Sequence, residues 1–180
     1  FVHSTCPSVL ARLLRDLKLC SNGVDCAIPN IQGDEAVEVE GEFSASEIVL
    51  EDLVVSVSQG SKISGDIASL FKKLAPQVKC LLLISDENFS FLVKTATEIQ
   101  PQIAIDFETG TTKDGSLRYQ ELLPSDSVLY SLVFFSAERI LKSPAAAETV
   151  RIWIKNAIGS HIQVGGDMTL GRGLMEVQWF

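Results

Sequence analysis

Near the C-terminus the chain reads Gln163-Val164-Gly165-Gly166-Asp167-Met168-Thr169-Leu170-Gly171-Arg172-Gly173, which places four of its 12 glycines in one stretch. Glycine reaches backbone conformations that other residues avoid, and it lets a second chain come close to the main-chain N–H groups. Successive exposed N–H groups make a concavity that binds anions; Arg172 adds a charge suited to phosphate and Thr169 a hydroxyl. A second reading fits the same residues equally well: a tight connection between two strands, in which the glycines serve geometry alone. No Lys-Ser/Thr follows the glycines, and the loop precedes a strand rather than a helix, so phosphate-loop and dinucleotide motifs are excluded.

Other chemistries have little material. His3 and His161 are the two histidines, too few for a histidine-rich metal site, and no nucleophile elbow is present. His161 opens a strand and reads as structural. The acids Asp34, Glu35, Glu38, Glu40 and Glu42 occupy solvated strand and loop positions, with no pair placed for acid–base work. Cys6, Cys20, Cys26 and Cys80 show no CxxC spacing. Reduced thiols are the expectation, and His3 with Cys6, Cys20 and Cys26 lacks the tight pairs of tetrahedral zinc. The net charge of −8 excludes coating of nucleic acid by bulk charge.

These residues need a scaffold. At 180 residues and 46% hydrophobic content the chain can build a core. Its apolar runs are too short to cross a bilayer, and its start lacks a signal-peptide pattern. The absence of an initiator methionine reads as a fragment. Ser4, Thr5 and Pro7 mark a helix start with hydroxyl capping, and Leu10, Leu13, Leu14 and Leu17 recur at helical spacing up to a stop at Asn22-Gly23. Val37, Val39 and Phe43, then Leu53, Val55 and Val57, alternate as strands. Ile63, Ile67, Leu70, Phe71 and Leu74 form a second helix. Lys79 to Ser85 is a buried strand, and Ser85-Asp86 caps a short helix. Ser127 to Phe135 also reads as a buried strand. Ser143-Pro144 opens a further helix that Gly159 closes. Residues 97–124 alternate on either side of a polar tip, a long β-hairpin with too few large apolar residues for its own core. The class is α+β, an antiparallel sheet backed by helices.

The glycine-rich ending closely resembles the C-terminal loop of the RAMP superfamily of CRISPR-associated proteins. Ser4-Thr5-Cys6-Pro7-Ser8-Val9-Leu10 with Arg12 and Arg15-Asp16-Leu17, then Ile84-Ser85-Asp86-Glu87-Asn88-Phe89, then Thr109, Thr111, Gly115-Ser116-Leu117, Glu121 and Leu123-Pro124, are similar in order to the backbone subunit of type III-B (Cmr) effectors. The resemblance covers nearly all 180 residues. It implies a ferredoxin-like (RRM-like) palm with a projecting hairpin thumb at 97–124, in one domain over 1–180 that is incomplete at its N-terminus.

It also implies cytoplasmic subunits stacked head to tail on a guide RNA beside other Cmr subunits. The full-length form would cleave single-stranded target RNA at regular intervals in antiviral defence, aided by divalent Mg or Mn. The family's catalytic aspartate loop is expected upstream of Phe1, so no catalytic residue carries over to this chain; Asp106 and Asp167 do not match it by position. On RNA the resemblance places Gly165, Gly166, Thr169, Gly171, Arg172 and Gly173, with Leu117, Arg118 and Tyr119 on the thumb, and Lys94 and Lys113 as further cations. Tyr119 fits either a wedge against a base or packing of the hairpin. Gln102 and Ala104 stand where the family has arginines, which implies weaker thumb contacts. The other roles open to such a chain are an inert scaffold and a ribonuclease that processes guide precursors. The expected signature is sequence-indifferent, salt-sensitive RNA affinity.

Overall fold

In the computed structural model, residues 2–20, 23–63, 65–140 and 142–180 are described, without the side chains of 59–62. They divide into two compact units, 1–129 and 130–180.

The first unit holds a five-stranded sheet in the order β1-β5-β2-β4-β3, formed by β1 (His3–Thr5), β2 (Glu35–Glu40), β3 (Glu47–Leu50), β4 (Leu53–Lys62) and β5 (Leu81–Ile84). The α+β class is as expected, but the sheet is mixed. β1 runs parallel to β5 and β2 parallel to β4, whereas β2–β5 and β3–β4 are antiparallel. Strand β5 explains the layering. All four of its residues are buried, and alternate side chains serve opposite faces of a strand. Leu81 and Leu83 join Val37, Val39, Leu10 and Ile67 on one side; Leu82 and Ile84 join Ala36, Val55, Val57 and Leu92 on the other. The first face is covered by α1 (Pro7–Leu19) and α2 (Gly65–Leu74), whose Leu13, Leu14, Leu17 and Leu70 also cluster together. The second is covered by α3 (Asp86–Thr95) through Leu92 and Phe89. Each fully buried leucine contributes about 1.5–3 kcal/mol of transfer free energy.

Helix α1 is capped differently from the sequence reading. Its N-cap residue is Cys6, and no side chain there accepts a hydrogen bond. Instead Asp86, the first residue of α3, accepts from the Ser8 amide at 2.9 Å and the Ser8 hydroxyl at 2.6 Å. The Ser8 hydroxyl and the Cys6 thiol together hold the Asp86 carboxyl below its ordinary range. Burial, with Asp86 beside it, pushes the Cys6 thiol up to about 11. At the same corner Ser85 caps α3 as expected, accepting from the Asn88 amide, while the Ser85 hydroxyl and the Asn88 side chain both donate to the Gly33 carbonyl. The Ser85-Asp86-Glu87-Asn88 segment thus ties α3 to α1 and to the turn before β2.

Asp86→Ala is expected to cost about 1 kcal/mol, the usual worth of such a cap, and to lower the melting temperature by about 2–4 °C. Because the folded carboxyl titrates below its unfolded value of about 4, this stabilisation is complete above that pH. It is lost as pH falls through the lower folded value. The melting difference between wild type and variant is therefore expected at pH 7 and should vanish in acid.

The second helix ends before Pro76 as the spacing requires, but it begins at Gly65, so Ile63, expected as its first apolar residue, lies outside it and is buried in the connection after β4. The stop expected at Asn22 lies outside the described residues; α1 itself closes at Cys20, whose amide donates to the Leu17 carbonyl. The hairpin forms as β6 (Glu98–Gln102) and β7 (Arg118–Leu122), paired in register from Glu98↔Leu122 to Gln102↔Arg118, with a further bridge at Ile105↔Thr112. No residue from 97 to 123 is buried.

The second unit contains α4 (Ala147–Ile158), β8 (His161–Gln163) and β9 (Leu174–Glu176). Helix α4 starts after Pro144 rather than on it, and Gly159 closes it at φ +64°. Residues 127–135, expected as a buried strand, are not a strand: none is buried, and no described strand lies beside them.

Candidate nucleic-acid interface

Strands β8 and β9 pair antiparallel from His161↔Glu176 to Gln163↔Leu174, and the Val164 amide extends the ladder by donating to the Gly173 carbonyl at 2.8 Å. This closure admits only glycine at 173. A Cβ there would stand 1.9 Å from the Val164 carbonyl oxygen, and φ is +69°. Beyond it the loop turns through a single 3-10 turn, Met168–Leu170, flanked by Asp167 (φ 58°) and Gly171 (φ 75°), both left-handed. The Gln163 side chain laces the base of the loop, donating to the Gly165 carbonyl at 3.1 Å and the Arg172 carbonyl at 3.4 Å.

Arg172 is not an outward-facing cation. Its guanidinium donates to Asp167 at 2.8 Å and is only 22% exposed, so its charge is matched within the loop and its first effect is on loop shape. The main chain offers more. The N–H groups of Gly165, Gly166, Met168 and Thr169 donate to nothing among the described residues, and all four residues are exposed. Gly165 and Gly171 need glycine for their positive φ. Gly166 does not: its φ is ordinary and a Cβ would meet no atom within 4 Å. Nothing among the described residues calls for glycine at that position.

In the first unit, the hairpin sorts its side chains by strand alternation. Ile99, Ile103, Ile105, Leu117 and Tyr119 are all at least half exposed, Tyr119 at 70%. Tyr119 pairs across the ladder with Pro101 and is not covered. On the other face Gln102 donates to Gln120 at 2.6 Å and accepts from Arg118 at 3.2 Å. Arg118 is thereby held against a neutral partner and keeps its charge uncompensated there. Lys94, in the last turn of α3, and Lys113 are exposed and form no ion pair among the described residues.

The hairpin tip carries a residue that the sequence reading missed. Asp106 accepts from the Thr109 amide at 3.1 Å and the Glu108 amide at 2.9 Å, which lowers its carboxyl below the usual range. Its own carbonyl accepts from Gly110, and its amide donates to Thr111. Asp106 therefore builds the tip. Phe107, the next residue, is left fully exposed at 102%. An aromatic immediately after a turn-forming aspartate was the available signal. Around it the hairpin is acidic, with Glu98, Asp106, Glu108, Asp114 and Glu121 against Lys113 and Arg118.

Among the described residues no three His, Cys, Asp or Glu side chains converge as metal ligands, and no helix is long and apolar enough to cross a membrane. His161 accepts or donates at Ser160 across 2.9 Å and lies outside the glycine loop.

The RAMP superfamily model matches residues 9–176. The chain is 31% identical to the CRISPR system Cmr endoribonuclease Cmr4 of Pyrococcus furiosus over 191 residues, covering 98% of this chain and 61% of that protein. In fold it is similar to crystalline oligomeric Cmr4 from Pyrococcus furiosus, with a TM-score of 0.56, 21% identity, and coverage of 97% of this chain and 63% of the other. It is also similar to a chain of the type III-B Cmr-beta complex bound to cognate target RNA, with a TM-score of 0.64, 16% identity, and coverage of 99% and 60%. The chain thus spans about three-fifths of the length of the relatives it matches.

Proposed function

The chain belongs to the RAMP superfamily, and on that premise we propose that it is the RNA-holding part of a type III-B effector backbone subunit, gripping a single RNA strand by main-chain amides rather than by positive charge. The observation that carries this reading is the set of four exposed amides at 165, 166, 168 and 169 without acceptors, around a glycine that nothing internal requires. Amides and hydroxyls aimed at phosphate position a strand without reading its bases, as a protein that must accept any guide needs. Phe107, with Leu117 and Tyr119, supplies apolar and aromatic surface on which a displaced base stacks. The relative's name is that of an endoribonuclease; by extension we propose that the whole protein cleaves target RNA with a divalent metal, in a complex with guide RNA, further copies of itself and other Cmr subunits. The described residues do not fit a metal centre, so no step of that cleavage is assigned to them.

This mode of grip alters the expected salt dependence. With Arg172 matched by Asp167, the uncompensated cations among the proposed contacts are Lys94, Lys113 and Arg118. Three phosphate contacts give a log–log salt slope of about −2 on a single strand, against much steeper slopes for basic grooves. Filter binding of single-stranded RNA from 50 to 300 mM salt (about the range over which counterion release is read) is expected to show a slope no steeper than that. A steep slope would move the interface to another, basic surface. The scaffold reading is favoured by one observation, the five acids of the hairpin against two bases, and it alone survives if no RNA binds at low salt.

A further inference from the structure

Two aspartates open turns in this chain and use their carboxylates differently. An aspartate in that position ordinarily accepts from a main-chain amide two or three residues on. Asp106 does so, accepting from the Glu108 amide at 2.9 Å and the Thr109 amide at 3.1 Å, and it has no ion-pair partner among the described residues. Asp167 stands in the same relation to the 3-10 turn Met168–Leu170, yet its side chain makes no capping bond there. Its Oδ2 accepts instead from the Arg172 guanidinium at 2.8 Å. The Thr169 amide, two residues after Asp167, is left open.

The main chain of the turn has bonds of its own. The Asp167 carbonyl accepts from the Leu170 amide at 2.9 Å and the Arg172 amide at 3.4 Å, and the Met168 carbonyl accepts from the Gly171 amide at 2.9 Å. What the ion pair adds is the placement of two charges. A carboxylate at 167 without its guanidinium would fall on the Thr169 amide, as that of Asp106 falls on Glu108. It would also set a negative charge where a phosphate has to come, and an amide already bonded has no second proton to donate.

We infer that Arg172 is a positioning residue: its guanidinium holds the Asp167 carboxylate off the Thr169 amide, keeps that amide open to a phosphate, and does not itself touch the RNA. This role rests on the reading of the loop as an RNA grip and explains how the grip stays open.

Wild type, Arg172→Ala and the double variant Arg172→Ala/Asp167→Gly test it. Glycine accepts the φ of 58° at 167, and the double variant keeps the wild-type net charge. Without RNA, exchange of the Thr169 amide is followed by nuclear magnetic resonance. It is expected to be free in wild type, about fivefold slower in Arg172→Ala, the protection one capping bond confers, and free again in the double variant. Filter binding of single-stranded RNA is expected to fall roughly tenfold in Arg172→Ala, the scale of one lost bond to a charged group, and to return to the wild-type value in the double variant. Free exchange of Thr169 in Arg172→Ala overturns the inference. So does a double variant that stays weak: with a log–log salt slope shallower than wild type by about 0.7, Arg172 is a direct phosphate ligand, and with an unchanged slope it only shapes the loop. A wild type that binds no RNA, with Thr169 exchange following the expected pattern, counts against the proposed function alone.

Discussion

Gly173→Ala is expected to weaken single-stranded RNA binding by roughly a hundredfold while leaving the main thermal transition in place. The added methyl would lie 1.9 Å from the Val164 carbonyl oxygen, inside any tolerable contact, at a φ of +69° that alanine adopts poorly. Neither atom belongs to a flexible side-chain end, so the main chain itself must move. The first thing lost is the Val164–Gly173 hydrogen bond that closes the loop, and with it the common orientation of the amides at 165, 166, 168 and 169. A hydrogen bond to a charged group is worth about 1.5–3 kcal/mol. Losing two of them accounts for the expected factor. The stability of the first unit is expected to stay unchanged, because among the described residues every buried one lies between Thr5 and Leu92. Filter binding and a thermal melt on the same preparation check both halves of this statement.

Phe107→Ala is expected to have the next largest effect on binding and almost none on stability. Its ring is fully exposed, so truncation removes no packing. The turn beneath it is held by Asp106 through the amides of Glu108 and Thr109, and these bonds do not involve the ring. Stacking of a base on an aromatic side chain is worth about 1–3 kcal/mol, a loss of about 5- to 150-fold in affinity. Phe107→Trp should restore most of it, since a larger π-face stacks at least as well. Equal affinities for wild type and Phe107→Ala would remove the hairpin tip from the interface.

The sequence was legible where local chemistry decided structure. Alternation placed β2 and β4, the continuous apolar run of Leu81–Ile84 placed the fully buried strand β5, and Ser85 capped α3 as its type and position imply. Turn chemistry placed the hairpin, whose Gly110 and Gly115 both have positive φ. What escaped depends on contacts across the chain. The cap of α1 comes from Asp86, 78 residues after Ser8, and no local pattern announces it. The three-residue strand β1 and the four-residue β3 are too short to show a period. Arg172 has the residue type of a phosphate ligand, but pairing with Asp167 across the 3-10 turn decides its role. Residues 127–135 carry a strand's composition without a strand's partner, so composition alone misplaced them. The glycine loop was legible as a loop, while the separate reasons for its glycines were not: closure at 173, positive φ at 165 and 171, and at 166 no internal reason.

That last position gives the most direct measurement. Two single-stranded RNAs of unrelated sequence are titrated against wild type and Gly166→Ala, with melting recorded for both proteins. The backbone there accepts alanine without strain, and such a change by itself stabilises a fold by about 0.4–1 kcal/mol. If main-chain amides at this loop hold the sugar-phosphate strand, wild type binds both RNAs alike. Gly166→Ala then weakens both by the same factor, about fivefold or more for the loss of one close contact worth about 1 kcal/mol, while melting no lower than wild type. Wild-type affinity in Gly166→Ala, or a loss confined to one of the two RNAs, would contradict the account.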